Sequence, residues 1–284
     1  MSVSRDAAAV LVRVHDRMDD LEVCLRVIRR HWKRGGYHIV VVSNGLSRGI
    51  AVPDRLRALA DDVVELDENA GHLMGSRQLL EAGMPRVPEH CRWTVLLEAD
   101  TWIFDDAILR RYMERLEREE RVWASALWVE RYYSLAVDAA VVDTSFAHRH
   151  PEIFAIEVPP GPEAWVHESL ERLGHEPLYI REHMPVHPAR VARRFSASAP
   201  LGRFRTFVRA GMVTHHVEDL PGGIEEKKRI ANRVLGRPEF DVPWDDDWAR
   251  YRRRMLRAER LRAWVPRSTW FRSRRWAGGR SSES

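Results

Sequence analysis

The chain has 284 residues, 44% hydrophobic and 31% charged, which suits one large domain, or a domain with an appendage, around a substantial core and excludes a disordered chain. It holds no run of about 18 apolar residues, so a membrane-spanning helix is excluded, and Cys24 and Cys91 are too few for a disulfide framework and lack metal-site spacing. The net charge of +4 is uneven: Ala249 to Trp276 carries eleven Arg against one Glu, a local +10 that leaves −6 for the rest.

Met1 to Asp6 runs straight into a strand without a signal-peptide pattern, which predicts a cytoplasmic protein. Ala7 to Val14 is that first strand, ended by His15-Asp16-Arg17, and Leu21, Leu25, Ile28 and Trp32 then recur at helical spacing until Gly35-Gly36. Tyr37 to Val42 is a second apolar strand closed by a turn at Ser43-Asn44-Gly45. Strand, helix and strand with short connections make a right-handed βαβ unit. A short helix over Asp54 to Ala60 and a strand over Asp62 to Leu66 extend it, and Asp67 to Leu80, with Asn69, Gly71, Gly75 and Arg77, leads into a helix ending near Gly83.

Trp93 to Leu97 is a continuous apolar run, the pattern of a strand covered on both faces, and it stops at acid. Glu98 and Asp100 are two apart, so on an extended backbone both carboxylates leave one face at the strand's C-terminal end, where open α/β sheets bind ligands. Two such carboxylates can share Mg²⁺ or Mn²⁺ with a substrate phosphate. The plainer alternative is a solvated loop, and Asp105 and Asp106 are expected to cap the following helix, Asp105 to Glu120.

Strands are predicted around Val122 to Val129 and Leu135 to Val142, a helix over Glu163 to Leu173, and a strand over Pro177 to Ile180. Arg190 to Arg209 reads as loop. Met212 to Asp219 ends an apolar stretch with His215, His216, Glu218 and Asp219, and a helix runs from about Ile224 to Leu235. The economical architecture is a mostly parallel sheet flanked by helices. Residues 1–240 form its body, and 241–284 form a C-terminal extension in which Trp244, Trp248, Tyr251, Met255, Ala258, Leu261 and Val265 recur as an amphipathic helix.

The order of these features resembles the GT-A fold nucleotide-sugar glycosyltransferases, and within them the large inverting family 2. The resemblance rests on His15-Asp16-Arg17 after the first strand, Ser43-Asn44-Gly45 after the second, Glu68-Asn69-Ala70-Gly71 after the third and Glu98-Ala99-Asp100 at the position of the DxD motif. It covers roughly residues 7 to 110, with isolated motifs beyond. It implies a Rossmann-like fold and transfer of a sugar from a nucleoside-diphosphate donor to a hydroxyl acceptor on a glycan, a lipid-linked molecule or a small molecule. Donor contacts are implied for His15, Arg17, Asn44, Asn69, Arg77, Glu98, Ala99 and Asp100, and Mn²⁺ or Mg²⁺ for Asp100, Glu98 and a late histidine, with His216 preferred to His215. Two positions depart from the family: Ser43 stands where it has Asp, and Glu98 is one methylene longer.

The family's base lies in an acidic motif at the start of a short helix, which Trp165 to Gly174 resembles, making Glu168 the candidate; the alternative is a surface carboxylate paired with Arg172. Arg203 and Arg205 are candidates to neutralise the diphosphate. The basic tail either packs its apolar stripe on the body or lies on an anionic membrane face with Trp264, Trp270, Phe271 and Trp276 at headgroup level; no nucleic-acid module accompanies the charge. Competing functions are an inactive GT-A-like scaffold or binding module and a nucleotidyltransferase, although His15 to Asp20 lacks the Gly-rich phosphate loop the latter needs.

Overall fold

The computed structural model describes residues 8–33, 36–129, 133–154, 162–180, 182, 205–214, 222–243 and 247–263. Strand β1 (Ala8–Val14) is central, flanked in parallel by β2 (Tyr37–Ser43) and β4 (Trp93–Glu98), with β3 (Asp62–Glu65) parallel outside β2. Helices α1 (Met18–His31), α2 (Asp54–Arg57) and α3 (His72–Gly83) make the crossovers.

The unbroken apolar character of β1 follows from burial on both faces. Ala8, Val10, Val12 and Val14 enter one core with Leu21, Leu25 and Ile28 of α1, while Ala9 and Leu11 enter a second with Leu79 and Leu80 of α3. Helix α3 lies so close to the sheet that a Cβ on Gly83 would stand 2.5 Å from Leu11 Cδ1 and 2.6 Å from Val42 Cγ2. Gly83→Ala is therefore expected to destabilise the protein by about 1–3 kcal/mol through overpacking, read as a lower urea midpoint at unchanged m-value.

Beyond β4 the direction changes. Helix α4 (Ala107–Arg118) buries Leu109, Tyr112, Met113 and Leu116 as its spacing predicts. Strands β6 (Trp123–Val129) and β7 (Tyr133–Asp143) then form a hairpin, and β7 inserts antiparallel against β4. Residues 130–132 are too short a connection for a parallel crossover, which needs a dozen or more residues. The sheet order is β3-β2-β1-β4-β7-β6-β8, with β8 (Leu178–Tyr179) parallel to β6. Helix α5 (Thr144–Arg149) follows β7, and α6 (Pro162–Arg172) packs Val166 and Leu170 into the α3-side core.

A second, antiparallel sheet joins β5 (Trp102–Ile103), β10 (Met212–Thr214) and β9 (Arg205–Phe207) in the order β5-β10-β9. Part of the stretch expected as loop is thus strand; three residues are too few to show a period of two. Helix α7 (Gly223–Leu235) packs behind β10, and α8 (Trp248–Ala263) packs against α7. Met255 of α8 is buried in the α1-side core while Arg253, Arg254, Arg257 and Arg260 are exposed. This portion of the basic extension packs on the body, and Trp264, Trp270, Phe271 and Trp276 lie outside the described residues. Among the described residues no helix is long and apolar enough to cross a membrane.

Candidate active site

The C-terminal ends of the parallel strands bring three of the sequence candidates into mutual contact. His15 follows β1, Asn44 follows β2 and Asn69 follows β3. His15 Nδ1 and Asn44 Oδ1 are 2.9 Å apart, Asn44 Nδ2 donates to Asn69 Oδ1 at 3.2 Å, and Asn69 Nδ2 lies 3.3 Å from His15 Nδ1 and 3.4 Å from Nε2. The tautomer with Nδ1 donating satisfies the contact with Asn44, and the Asn69 amide lies almost equidistant from the two ring nitrogens.

Two glycines make room for this cluster. A Cβ on Gly75 of α3 would come within 2.4 Å of Asn69 Oδ1 and 3.1 Å of Asn44 Nδ2. One on Gly45 would come within 2.4 Å of the His15 carbonyl oxygen. Ser43, at the position where the family carries Asp, is buried, and its hydroxyl accepts from the Gly45 amide at 3.1 Å. It therefore shapes the turn behind Asn44.

The acidic segment does not stay extended. Glu98 ends β4, and the amide of Thr101 donates to the Glu98 carbonyl at 2.9 Å, so Ala99 and Asp100 occupy a turn. Glu98 Oε1 lies 3.3 Å from Arg13 Nη2, with the Glu98 side chain 31% exposed and that of Arg13 2% exposed. Arg13 also donates to Ser76 Oγ at 2.6 Å and to the Val137 carbonyl at 2.5 Å, tying β1, α3, β4 and β7 together beneath the turn. Sequence reasoning missed this residue; its signal was one charged side chain inside an otherwise apolar strand.

Asp100 is held from the other side. Lys227 of α7, with a fully buried side chain, donates to the Asp100 carbonyl at 2.6 Å and to Asp20 Oδ1 at 2.7 Å, and its Nζ sits 4.2 Å from the centroid of a Trp102 ring. Burial pushes the Asp20 carboxyl up to about 6, opposed by the Lys227 ammonium and reinforced by Asp100. Glu225, Glu226 and Lys228 surround Lys227 in sequence, so nothing local distinguishes it from the other charges of the helix.

The other candidates pair within their own elements or are exposed. Arg17 turns to the first turn of α1, bonding Asp19 Oδ2 at 2.9 Å and approaching Asp20 Oδ2 at 3.2 Å. Arg77 bonds Glu81 at 2.8 Å along α3. Glu168 is on the exposed side of α6 and has no hydrogen bond or ion pair among the described residues; Arg172 donates to Ser169 Oγ at 3.0 Å, so the Glu168–Arg172 pair of the alternative reading does not form. Asp105 accepts from the Ala107 amide at 2.9 Å as an α4 cap, whereas Asp106 is buried and accepts from the Tyr37 hydroxyl at 2.7 Å.

His215, His216 and Arg203 lie outside the described residues, as does the side chain of Arg205. Thr214, the residue before His215, ends β10, where Val213 pairs with Trp102, two residues beyond Asp100. Two carboxylates at one turn are the hard oxygen donors that suit Mg²⁺ or Mn²⁺, ions that keep several positions for phosphate oxygens and water. Among the described residues no group of three or more His, Cys, Asp or Glu is placed to hold a metal. A cleft of about 740 Å³ lies at the other end of α1, bordered by His31, Asp105, Arg111, Val208 and Leu235, and includes none of the candidate residues.

No protein-family model matches the chain, and no curated protein sequence matches it. Solved structures similar to it include the mannosyltransferase PcManGT from Pyrobaculum calidifontis in complex with GDP-Man and Mn²⁺, at 15% identity and a TM-score of 0.47, covering 61% of this chain and 54% of that one. TarS 1–349 of S. aureus is similar at 10% identity and 0.39, covering 52% and 49%. The 4-diphosphocytidyl-2C-methyl-D-erythritolsynthase of Anaerococcus prevotii is similar at 8% identity and 0.43, covering 62% and 87%. The chain thus spans about half the length of the first two. Likeness of this depth concerns the path of the chain and assigns no ligand or activity.

Proposed function

We propose that this chain is a metal-dependent inverting glycosyltransferase that moves a sugar from a nucleoside-diphosphate donor to a hydroxyl acceptor. The observation that carries the reading is the convergence of His15, Asn44 and Asn69 beside the Glu98–Asp100 turn, on consecutive strand ends of a parallel sheet. In this reading the three side chains, with Arg17, Arg77 and Ala99, form the donor pocket. Asp100, Glu98 and His216 hold the metal, and residues 1–240 are the catalytic body to which 241–284 is appended.

Glu168 takes the proton from the acceptor hydroxyl as its oxygen bonds to the anomeric carbon and the bond from that carbon to the diphosphate breaks on the opposite face. When bound, Mn²⁺ or Mg²⁺ supplies positive charge against the departing diphosphate. Arg203 and Arg205 add to that charge.

The test is a thermal-shift panel of UDP, GDP, TDP and CDP and of the corresponding triphosphates, with and without Mn²⁺, on wild type and Asp100→Ala. At about 100 times Kd a bound ligand stabilises by about 2.7 kcal/mol, so one nucleotide should raise Tm by several degrees in the presence of metal only. Asp100→Ala should lose that shift. No shift with any nucleotide would favour the inactive scaffold instead, while shifts with nucleoside triphosphates but not diphosphates would favour nucleotidyl transfer.

A further inference from the structure

The Lys227 side chain is fully buried beside the acidic turn, and the arrangement around it is specific. Its ammonium meets a carboxylate on α1, a backbone carbonyl in the turn and an aromatic face on β5, at 2.7, 2.6 and 4.2 Å. These contacts are two hydrogen bonds and one cation–π contact. Asp20 cancels the charge, so the pair adds little net field to the turn while fixing the carbonyl of Asp100.

The hydrophobic alternative is the informative comparison. A buried ion pair can often be replaced by apolar residues of similar volume with no loss of stability. Packing between α1, β5 and α7 thus has no need of an ammonium at this position, whereas the Asp100 carbonyl has a specific use for one.

We propose that Lys227 is a positioning residue for the divalent-cation site, holding the Asp100 turn in its metal-binding shape through the hydrogen bond to the Asp100 carbonyl, with Asp20 as its counterion. This rests on the reading of Glu98 and Asp100 as metal ligands. Partners that orient ligands typically change metal affinity 10–100-fold when removed.

The experiment measures Mn²⁺ binding from the loss of the free-ion electron paramagnetic resonance signal, in the presence of whichever nucleoside diphosphate gives the thermal shift. It compares wild type, Asp100→Ala, Lys227→Met and the double variant Asp20→Asn/Lys227→Met. Lys227→Met alone leaves a buried carboxylate without its cation and is prone to unfold, so the double variant carries the test. Its urea midpoint reports folding independently of metal. The expected result is a folded double variant whose Mn²⁺ affinity is lower by at least tenfold. A folded double variant binding Mn²⁺ within about threefold of wild type overturns the positioning role and leaves the metal site intact. A wild type that binds no Mn²⁺, or an Asp100→Ala variant that binds it normally, overturns the metal-site reading and the positioning role with it. If the double variant also fails to fold, Lys227 is a structural residue and the proposal falls.

Discussion

Lys227→Met is expected to destabilise the protein by about 3–5 kcal/mol at pH 7, the cost of removing one partner of a buried ion pair. The Lys227 side chain is 0% exposed and the Asp20 side chain 1% exposed, so water cannot replace the lost ammonium. Arg17 Nη2, 3.2 Å from the other Asp20 oxygen, remains as partial compensation and places the effect toward the lower end of the range. Urea denaturation should show a lower midpoint, and restoring neutrality with Asp20→Asn in the same chain should recover most of the loss.

The pH dependence has a definite sign. Burial raises the folded-state Asp20 carboxyl from an ordinary value of 3.8 to about 6. As pH rises from 4, the unfolded chain therefore releases this proton first, and the contribution of Asp20 to stability falls until pH passes about 6. The stability of wild type relative to Asp20→Asn should fall across that window and level off above it. The Lys227→Met penalty should also shrink toward pH 5, where a protonated Asp20 needs no counterion. A penalty independent of pH would mean that the ion pair is not its source.

What the sequence made legible was repetitive or positional. The two-faced burial of β1, β2 and β4 and the amphipathic spacing of α1 and α4 follow directly from residue pattern, and so does the placement of His15, Asn44 and Asn69 just past strand ends. The contacts that hold the candidate site in shape were not legible, because they join distant segments. Arg13 meets Glu98 and Val137 across 85 and 124 residues, and Lys227 meets Asp20 across 207. Neither has a local signature: one lies inside a strand, and the other is one of several charges on α7. The antiparallel entry of β7 was hidden for a related reason, since an apolar strand buried on both faces reads the same in either direction. The length of its connection to β6 was the available clue.

Glu168→Gln is expected to lower sugar transfer by about 10²–10⁴-fold, the usual contribution of a positioned general base, while leaving the metal-dependent nucleotide shift intact. The substitution keeps the size of the side chain and removes its capacity to take a proton. Glu168 is exposed on α6, whose Val166 and Leu170 are buried against the sheet, so the change disturbs no core contact and stability should stay within about 0.5 kcal/mol. That combination separates the candidate base from its alternative. A surface carboxylate would leave transfer unchanged as well as stability, whereas a donor-pocket residue would weaken the thermal shift. A loss of turnover with donor binding and folding both preserved assigns Glu168 to the acceptor side of the reaction, and the residual activity should recover partially as pH rises and the acceptor hydroxyl needs less help to lose its proton.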